Sequence, residues 1–379
     1  MLGLAPSAAA AEVLGTELGI EAENTSKWLY EQRRNHQREQ ELAELVDAKH
    51  PSQRGRTTRE QVRRERYLRA ALERWSLEKD QIVIVDEASL AGTLALEELT
   101  SAAEAADAKV LLVGDQHQLS GVEAGGMFRA LVQDRGPDVA ELDDVRRFTN
   151  AWEKHASLLM RRGHEEAINA YDQHQRISAG TREELIAELY GRWKEDVDAG
   201  LTSLMIAADG HTVSELNRRA RADRIAAGHI LGDGVELSGD QRGGVGDEVV
   251  TRQNDRRITT RRGWVKNGDR WIVTTTHPDR SLSVKRAGGG GKAKLPAGYV
   301  AEHVELAYAT TTHRAQGRTV DTAHAMVTSA STREALYVAA TRGRNSNRLY
   351  VDTSYDPDPG TPPGPCPTDR HSPRRSPHC

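Results

Sequence analysis

Two adjacent carboxylates follow a run of four β-branched apolar residues. The run, Ile82–Val85, has no polar alternation, which is typical of a strand buried on both faces of a parallel sheet. Asp86 and Glu87 come directly after it, and ligands of open α/β sheets bind beyond the carboxyl ends of the strands. One carboxylate there could hold Mg²⁺ through water while the other takes a proton from an attacking water. A strand that ends in a solvated turn would explain the same residues.

A second strand pattern favours the chemical interpretation. Residues 110–113 form another continuous apolar run, which is followed by Gly114, Asp115 and Gln118. Residues 93–106 are rich in Ala, Leu and Glu and predict a crossover helix between the two strands. Polar groups that follow neighbouring parallel strands meet at one edge of the sheet. A nucleotide site at that edge is therefore the leading hypothesis.

Four segments resemble motifs of superfamily 1 helicases of the RecD-like branch. Residues 86–89, 114–119, 306–320 and 335–344 are similar to motifs II, III, V and VI, in that order. Within the branch, residues 2–352 resemble the helicase part of conjugative relaxase–helicases of the TraA/TrwC (MobF) type. The resemblance implies an α/β fold of the P-loop NTPase type with tandem RecA-like domains. It also implies ATP and Mg²⁺ as cofactors and single-stranded DNA as a partner.

The resemblance assigns roles at the nucleotide site. Asp86 would hold Mg²⁺ through water, Glu87 would activate water, and Gln118 would sense the γ-phosphate. An arginine in a segment similar to motif IV would face the nucleotide, and we prefer Arg147 to Arg146 because it directly precedes the aromatic Phe148. An ordinary surface charge is an equally good explanation for that arginine. The remaining positions assigned to the nucleotide by resemblance are Asp115, Gly317 and Arg342, with Arg344 a weaker candidate than Arg342.

A second group of positions is assigned to DNA by the same resemblance. Pro6 and Ser7 lie in a segment similar to motif Ia, although Ser7 could simply cap a helix that runs to Leu18 and stops at Gly19. The other positions are Thr25, Trp28, Thr312, His313 and Gln316. Trp28 could stack on a base, but core packing is the favoured role for an isolated tryptophan.

The pattern also predicts the domain organisation. Residues 1–140 would form the first motor domain, and residues 141–233 with 300–354 the second. Residues 234–299 contain short strand patterns separated by Gly, Asn and Asp, which predicts a β-barrel insert that resembles the SH3-like insert of RecD-like helicases. Residues 355–379 are rich in Pro and Ser and are expected to be disordered. Six cations of the insert predict a nucleic-acid patch: Arg252, Arg256, Arg257, Arg261, Arg262 and Lys266.

One expected motif is missing from the sequence. The family carries a Gly-x-x-x-x-Gly-Lys-Ser/Thr phosphate loop before motif Ia, and no such loop occurs in these 379 residues. Gly288 to Gly291 precede Lys292, but Arg286 and Ala293 occupy positions where the motif requires Gly and Ser or Thr. We therefore expect a form truncated before motif Ia that is ATPase-deficient alone.

Composition leaves several functions open. The net charge of −4 does not indicate a nucleic-acid binder, and the two cysteines, both near the C-terminus, predict neither disulfides nor a metal site. No signal peptide is recognisable, so a cytoplasmic location is expected. The leading hypothesis is the 5′-to-3′ helicase module of a conjugative relaxase, with relaxosome or plasmid transfer proteins as partners. The alternatives are a RecD-like DNA repair helicase, an ATP-inactive single-strand-binding module and a degenerate gene product.

Overall fold

The computed structural model describes residues 1–47, 58–121, 126–142, 145–261 and 263–353. The helices are α1 (Ala8–Leu18), α2 (Thr25–Gln32), α3 (Asn35–Asp47), α4 (Arg59–Trp75), α5 (Thr93–Ala105), α6 (Met127–Arg135), α7 (Ala151–Arg162), α8 (Glu166–Gln173), α9 (Arg182–Asp198), α10 (Gly210–Ala226), α11 (Ala297–His303), α12 (Thr312–Ala315) and α13 (Arg333–Ala339). The first strands are β1 (Leu2–Ala5), β2 (Glu21–Asn24), β3 (Ile82–Val85), β4 (Lys109–Leu112), β5 (Ile177–Gly180) and β6 (Ser203–Ala207).

The later strands are β7 (Leu231–Glu236), β8 (Arg242–Val245), β9 (Glu248–Thr251), β10 (Asp255–Thr260), β11 (Gly263–Val265), β12 (Arg270–Thr276), β13 (Leu282–Arg286), β14 (Lys292–Leu295), β15 (Val304–Leu306), β16 (Ala309–Thr311), β17 (Val320–Val327) and β18 (Gly343–Asp352). Two short 3-10 helices cover Ala88–Leu90 and Gly136–Asp138.

None of the helices in the described part of the chain has the length and apolar character needed to cross a membrane. The tail predicted to be disordered, residues 355–379, lies outside the described residues.

The first sheet has the strand order β2-β1-β3-β4, and all of its pairs are parallel. Helix α1 connects β1 to β2 with the predicted limits. The Ser7 hydroxyl oxygen accepts a hydrogen bond from the Ala10 amide at 3.0 Å, and Gly19 ends the helix in the left-handed region with φ 65°. Helix α5 crosses from β3 to β4, as its composition predicts.

The burial of β4 differs from the prediction. Residues 110–113 were expected to be buried on both faces, but Leu111 is 52% exposed and Val113 is 38% exposed. β4 is the last strand of its sheet, and no strand of the described residues pairs with its outer edge. A continuous apolar run cannot distinguish a central strand from an edge strand, because that depends on what the chain places beside it.

The second sheet has the order β16-β6-β17-β18-β5 and is also fully parallel. Its central strand, β17, is buried along almost its entire length. Helix α9 packs against β6, β17 and β18, and helices α7, α8 and α13 contribute to the apolar cluster on the other side. The mixed α/β fold with parallel sheets was thus predicted correctly.

An antiparallel unit is inserted between the strands of the second sheet. Its main sheet has the order β14-β13-β12-β9-β15, and β7-β8 and β10-β11 form separate hairpins. The unit includes β15, which lies beyond the predicted limit at residue 299. Trp271 is fully buried in its core, as expected, whereas Trp264 is half-buried and lies beneath the Arg256 guanidinium, 4.8 Å from the ring centroid.

Three ion pairs of the described residues join the insert to the first α/β unit, and one of them brings Arg286 of β13 to within 3.9 Å of Glu12. Lys266 pairs with Glu12 of α1, and Arg256 pairs with Glu23 of β2 at 3.3 Å. Lys266 is only 7% exposed, so Glu12 compensates a cation that is largely removed from solvent. These contacts hold the insert over the carboxyl end of the first sheet, where Asp86 and Glu87 lie.

Candidate active site and nucleic-acid cleft

The acidic pair lies at the carboxyl end of β3, as the sequence predicts. Asp86 Oδ1 accepts a hydrogen bond from the Glu87 amide at 2.9 Å. Glu87 has φ 50°, a left-handed conformation that is costly for a residue with a side chain and that concentrates at functional sites. Its Oε1 lies 4.0 Å from the point where a Cβ on Gly317 would be. Because Gly317 has φ 76° and no side chain, the second α/β unit can approach the Glu87 carboxylate closely.

The surroundings of Glu87 favour its protonated form. Burial raises the pKa of Glu87, and the neighbouring Asp86 raises it further. Arg342, the side chain of Gln316 and Arg147 act in the opposite direction but do not cancel the shift. A buried carboxylate with a raised pKa is a suitable proton acceptor at neutral pH.

Two arginines of the second unit approach this carboxylate. Arg342 is 1% exposed, and its guanidinium donates to the Val338 carbonyl oxygen and the Thr341 hydroxyl, each at 2.7 Å. Burial and the nearby Arg147 lower the pKa of Arg342 to about 9. Arg147 donates to the Thr341 carbonyl oxygen at 2.7 Å, and burial lowers its pKa too. Neither guanidinium forms an ion pair within the described ranges of the chain, so an anion such as a phosphate would suit both.

Asp115 is occupied by contacts that link the two units. Its carboxylate accepts hydrogen bonds from the Tyr337 hydroxyl at 3.0 Å, the His117 amide at 3.0 Å and the Gln118 amide nitrogen at 3.3 Å. Arg161 Nε lies 3.4 Å from it. Asp115 therefore has a positioning role here, and the sequence reasoning did not find its partners Tyr337 and Arg161. Tyr337 falls within the segment similar to motif VI and could have been found there, but Arg161 looks like any helix-surface charge.

Gln118 keeps one polar atom free. Its Oε1 is buried and has no hydrogen-bond partner among the residues described. An unsatisfied buried acceptor is costly, which makes it a candidate contact for a ligand group. Together the site offers Asp86, Glu87, Gln118, Arg147 and Arg342, which the structure brings to one interface.

These groups fit a nucleotide only in part. No cluster of three or more His, Cys, Asp or Glu side chains suited to a metal occurs in the described ranges. One carboxylate is enough for Mg²⁺ when nucleotide phosphates supply further oxygen ligands, so Asp86 fits that role. Lys292 does not serve as a phosphate-loop lysine, because Gly288, Gly289 and Gly290 form the turn of the β13–β14 hairpin.

A cleft of about 560 Å³ opens beside the acidic pair, between α1, the insert and the segment around α12. Four of the predicted DNA-binding residues line it, and these are Pro6, Ser7, His313 and Gln316. The basic residues on its wall are Arg252, Arg270, Arg314 and Arg318, of which only Arg252 was singled out from the sequence.

The other predicted DNA contacts lie elsewhere. Trp28 is 1% exposed within the core of the first unit, which agrees with the favoured role in core packing and leaves no exposed ring face for a base. The Thr25 hydroxyl donates to the Ala5 carbonyl oxygen at 3.1 Å, and Thr312 Oγ1 lies 3.4 Å from the Ala207 carbonyl oxygen. Both threonines are buried and hold the backbone.

The predicted basic patch of the insert is largely neutralised. Arg252 pairs with Glu305 at 2.9 Å, Arg257 with Asp255 at 2.8 Å, and Arg256 and Lys266 bind the first unit as described above. Arg261 is exposed, and the side chain of Arg262 lies outside the described residues. The sequence run therefore does not form one open cationic surface.

Two parallel α/β units thus face each other through an acidic pair on one unit and two arginines on the other. The chain matches an AAA domain family over residues 1–182. Its fold is similar to that of Pif1 helicase from Bacteroides, solved in complex with ADP-AlF3 and ssDNA. The TM-score is 0.52 with 17% sequence identity, and the match covers 94% of this chain and 83% of that chain.

Curated relatives come from conjugation systems. The conjugal transfer protein TraA of Agrobacterium fabrum (strain C58) is 31% identical over 279 residues, which is 72% of this chain. The probable conjugal transfer protein TraA of Sinorhizobium fredii (strain NBRC 101917 / NGR234) is 29% identical over 282 residues, or 73% of this chain. The chain spans only 25% of the length of each of these relatives.

Proposed function

We propose that this chain is a RecD-like helicase module that acts on single-stranded DNA during conjugal transfer and moves 5′ to 3′. The observation that carries the proposal is the approach of Glu87 in one α/β unit to Gly317, Arg342 and Arg147 in the other. A site split between two units can couple the state of a nucleotide to the angle between the units. The cleft that shares Glu87 and Gln316 with this site would hold the DNA strand.

Each residue has a defined task in this proposal. Asp86 would hold Mg²⁺ through water, and the ion supplies charge neutralisation when it is bound with ATP. Glu87 would accept the proton of the attacking water, for which its raised pKa suits it. Arg147 and Arg342 would offset the negative charge that develops on the phosphoryl oxygens, and the free Oε1 of Gln118 would contact the nucleophile or the phosphate.

We also propose that these 379 residues hydrolyse ATP only weakly on their own. No phosphate loop occurs in them, so the backbone amides and the lysine that would grip the β- and γ-phosphates are missing from the chain. The single-strand cleft does not depend on that loop, so DNA binding is expected to persist. A single-strand-binding module without hydrolysis is therefore the second candidate function.

The test measures ATP hydrolysis by the purified chain, with and without single-stranded DNA, beside a Glu87→Gln control. We expect hydrolysis indistinguishable from the control and micromolar or tighter binding of an oligonucleotide in the same preparation. DNA-stimulated hydrolysis that Glu87→Gln abolishes would contradict the proposed weakness while supporting the assigned base. Absence of any single-strand binding by a folded chain would refute the proposed function itself.

The conjugal setting is supported by the TraA relatives, whose names refer to conjugal transfer. Relaxosome or plasmid transfer proteins are the partners that we propose on this basis. A DNA repair helicase of the same branch is the competing assignment. The genomic neighbourhood separates the two, because transfer genes beside the coding sequence favour conjugation and their absence favours repair.

A further inference from the structure

The part of the cleft formed by the insert and the segment around α12 carries more positive than negative charge. Four arginines line it, Arg252, Arg270, Arg314 and Arg318. Two glutamates form ion pairs with three of these arginines. Glu305 accepts from Arg252 at 2.9 Å and from Arg314 at 2.8 Å, and Glu248 pairs with Arg270.

Arg318 is the member without an acidic partner in the described part of the chain. It is half-buried, and its Nη2 atom is shielded from solvent and makes no hydrogen bond to any described residue. Burial, together with repulsion from Arg270 and Arg252, lowers the pKa of Arg318 to about 9. Arg270 contributes a second unsatisfied donor, since its Nε is also buried and has no hydrogen-bond partner among the described residues.

An unpaired guanidinium beside two others is unfavourable unless an anion joins them. We infer that Arg318, Arg270 and Arg252 form a phosphate-binding pocket in this cleft, and that its ligand is a phosphodiester group of a single-stranded nucleic acid. A guanidinium presents paired N–H groups that match two phosphate oxygens. The inference rests on the proposed function, because it takes the cleft to be the path of the strand.

The pocket is also tied to the candidate active site. The Arg318 carbonyl oxygen accepts a hydrogen bond from Arg342 Nη1 at 3.4 Å, and Arg318 follows Gln316 and Gly317, which face Glu87. A phosphate that moved Arg318 would therefore act on the segment that contacts the acidic pair. Sequence reasoning passed over Arg318, because within its motif-like segment it looks like an ordinary polar position.

The experiment compares the intact chain with Arg318→Gln and with Arg192→Gln. Arg192 is a matched control, because it lies on α9, is 49% exposed and pairs only locally with Glu195. Binding of a labelled oligothymidine is followed by fluorescence anisotropy over a range of salt concentrations. Arg318→Gln is expected to weaken binding about tenfold or more and to reduce the slope of log K against log salt by about 0.7, the value for one phosphate contact on a single strand. Arg192→Gln should change neither quantity.

Two further measurements separate a ligand contact from a structural role. Without DNA, Arg318→Gln should melt at or above the temperature of the unchanged chain, because it removes an uncompensated cation, and Arg318→Lys should recover part of the DNA affinity. A large fall in melting temperature that Arg318→Lys also shows would overturn the inference in favour of a structural role. A titration with a fluorescent ATP analogue tests the other source of phosphate. If Arg318→Gln weakens that titration and leaves DNA binding intact, the pocket serves the nucleotide and the assignment to the strand is wrong.

The experiment distinguishes a failure of the proposed function from a failure of the phosphate pocket alone. If the unchanged chain binds no single strand, the proposed function fails and the pocket fails with it. If the unchanged chain binds and Arg318→Gln binds equally well with the same salt slope, only the phosphate pocket is refuted.

Discussion

Both α/β units of this protein contain a parallel sheet, but the strands of the two sheets differ in how far other residues cover them. β17 lies at the centre of the second sheet between β6 and β18, and both of its faces are packed. β4 has the more apolar sequence, since β17 includes Asp321 and His324, yet β4 lies at the edge of the first sheet with Leu111 52% exposed. An apolar run shows that a strand can be buried favourably. Whether its side chains are buried depends on the elements that pack beside the strand.

The two units also supply different groups to the candidate active site. The first unit supplies Asp86 and Glu87 from a strained turn at the end of a small sheet. The second supplies Arg147, Arg342 and Gly317 from segments built onto a larger buried sheet. The two arginines, whose pKa values are lowered by burial, are thus held by the larger sheet, while the smaller sheet holds Glu87, whose pKa burial raises.

The largest expected effect tests the packing contrast directly. Leu204→Ala on β6 removes a side chain that is 0% exposed and should lower the free energy of unfolding by about 2–5 kcal/mol. Leu111→Ala on β4 should change it by only about 0.5 kcal/mol or less, since half of that side chain already meets solvent. Urea unfolding of the full chain, followed by circular dichroism, measures both. Equal losses of unfolding free energy for the two variants would mean that β4 is covered in solution, which would contradict the contrast between the two sheets.

An intermediate effect is expected where the insert meets the first unit. Glu12→Gln leaves the buried ammonium of Lys266 without its acidic partner and should cost about 1 kcal/mol, a value discounted for the exposure of Glu12. Glu17→Gln, an exposed position on the same helix, is the matched control and should be neutral. The loss for Glu12→Gln should shrink in high salt. A loss that is independent of salt would argue against an electrostatic contact.

The smallest effect concerns the acidic pair. The pKa of Glu87 is raised in the folded chain, so its protonated form favours folding, and the penalty for ionising it grows as pH rises through the folded pKa. Glu87→Gln should therefore raise the melting temperature by about 1–3 °C at pH 8 and have no effect near pH 4, where the carboxyl is protonated in both states. Melting curves at the two pH values provide the test. A variant that is less stable at pH 8 would mean that the ionised carboxylate is stabilised by Arg147 and Arg342.

Much of the fold could be predicted from local pattern. Helix α1 starts after Ser7 and ends at Gly19 because a hydroxyl cap and a left-handed glycine act within a few residues. The acidic pair was located because it directly follows a strand. The partners of Asp115 could not be predicted in the same way, because its hydrogen bond to Tyr337 depends on a segment far away in the chain.

The sequence by itself determined the alternating α/β pattern, the antiparallel character of the insert, and the acidic pair at the carboxyl end of β3. All of these follow from side-chain periodicity, turn residues and adjacency along the chain. Only the tertiary structure decided that β4 is an edge strand, that most cations of the insert are paired, and that Arg318 has no acidic partner among the described residues around the cleft. The physical reason is that charge compensation and burial are properties of neighbours in space, which residues as distant as Glu12 and Lys266 acquire only when the chain has folded.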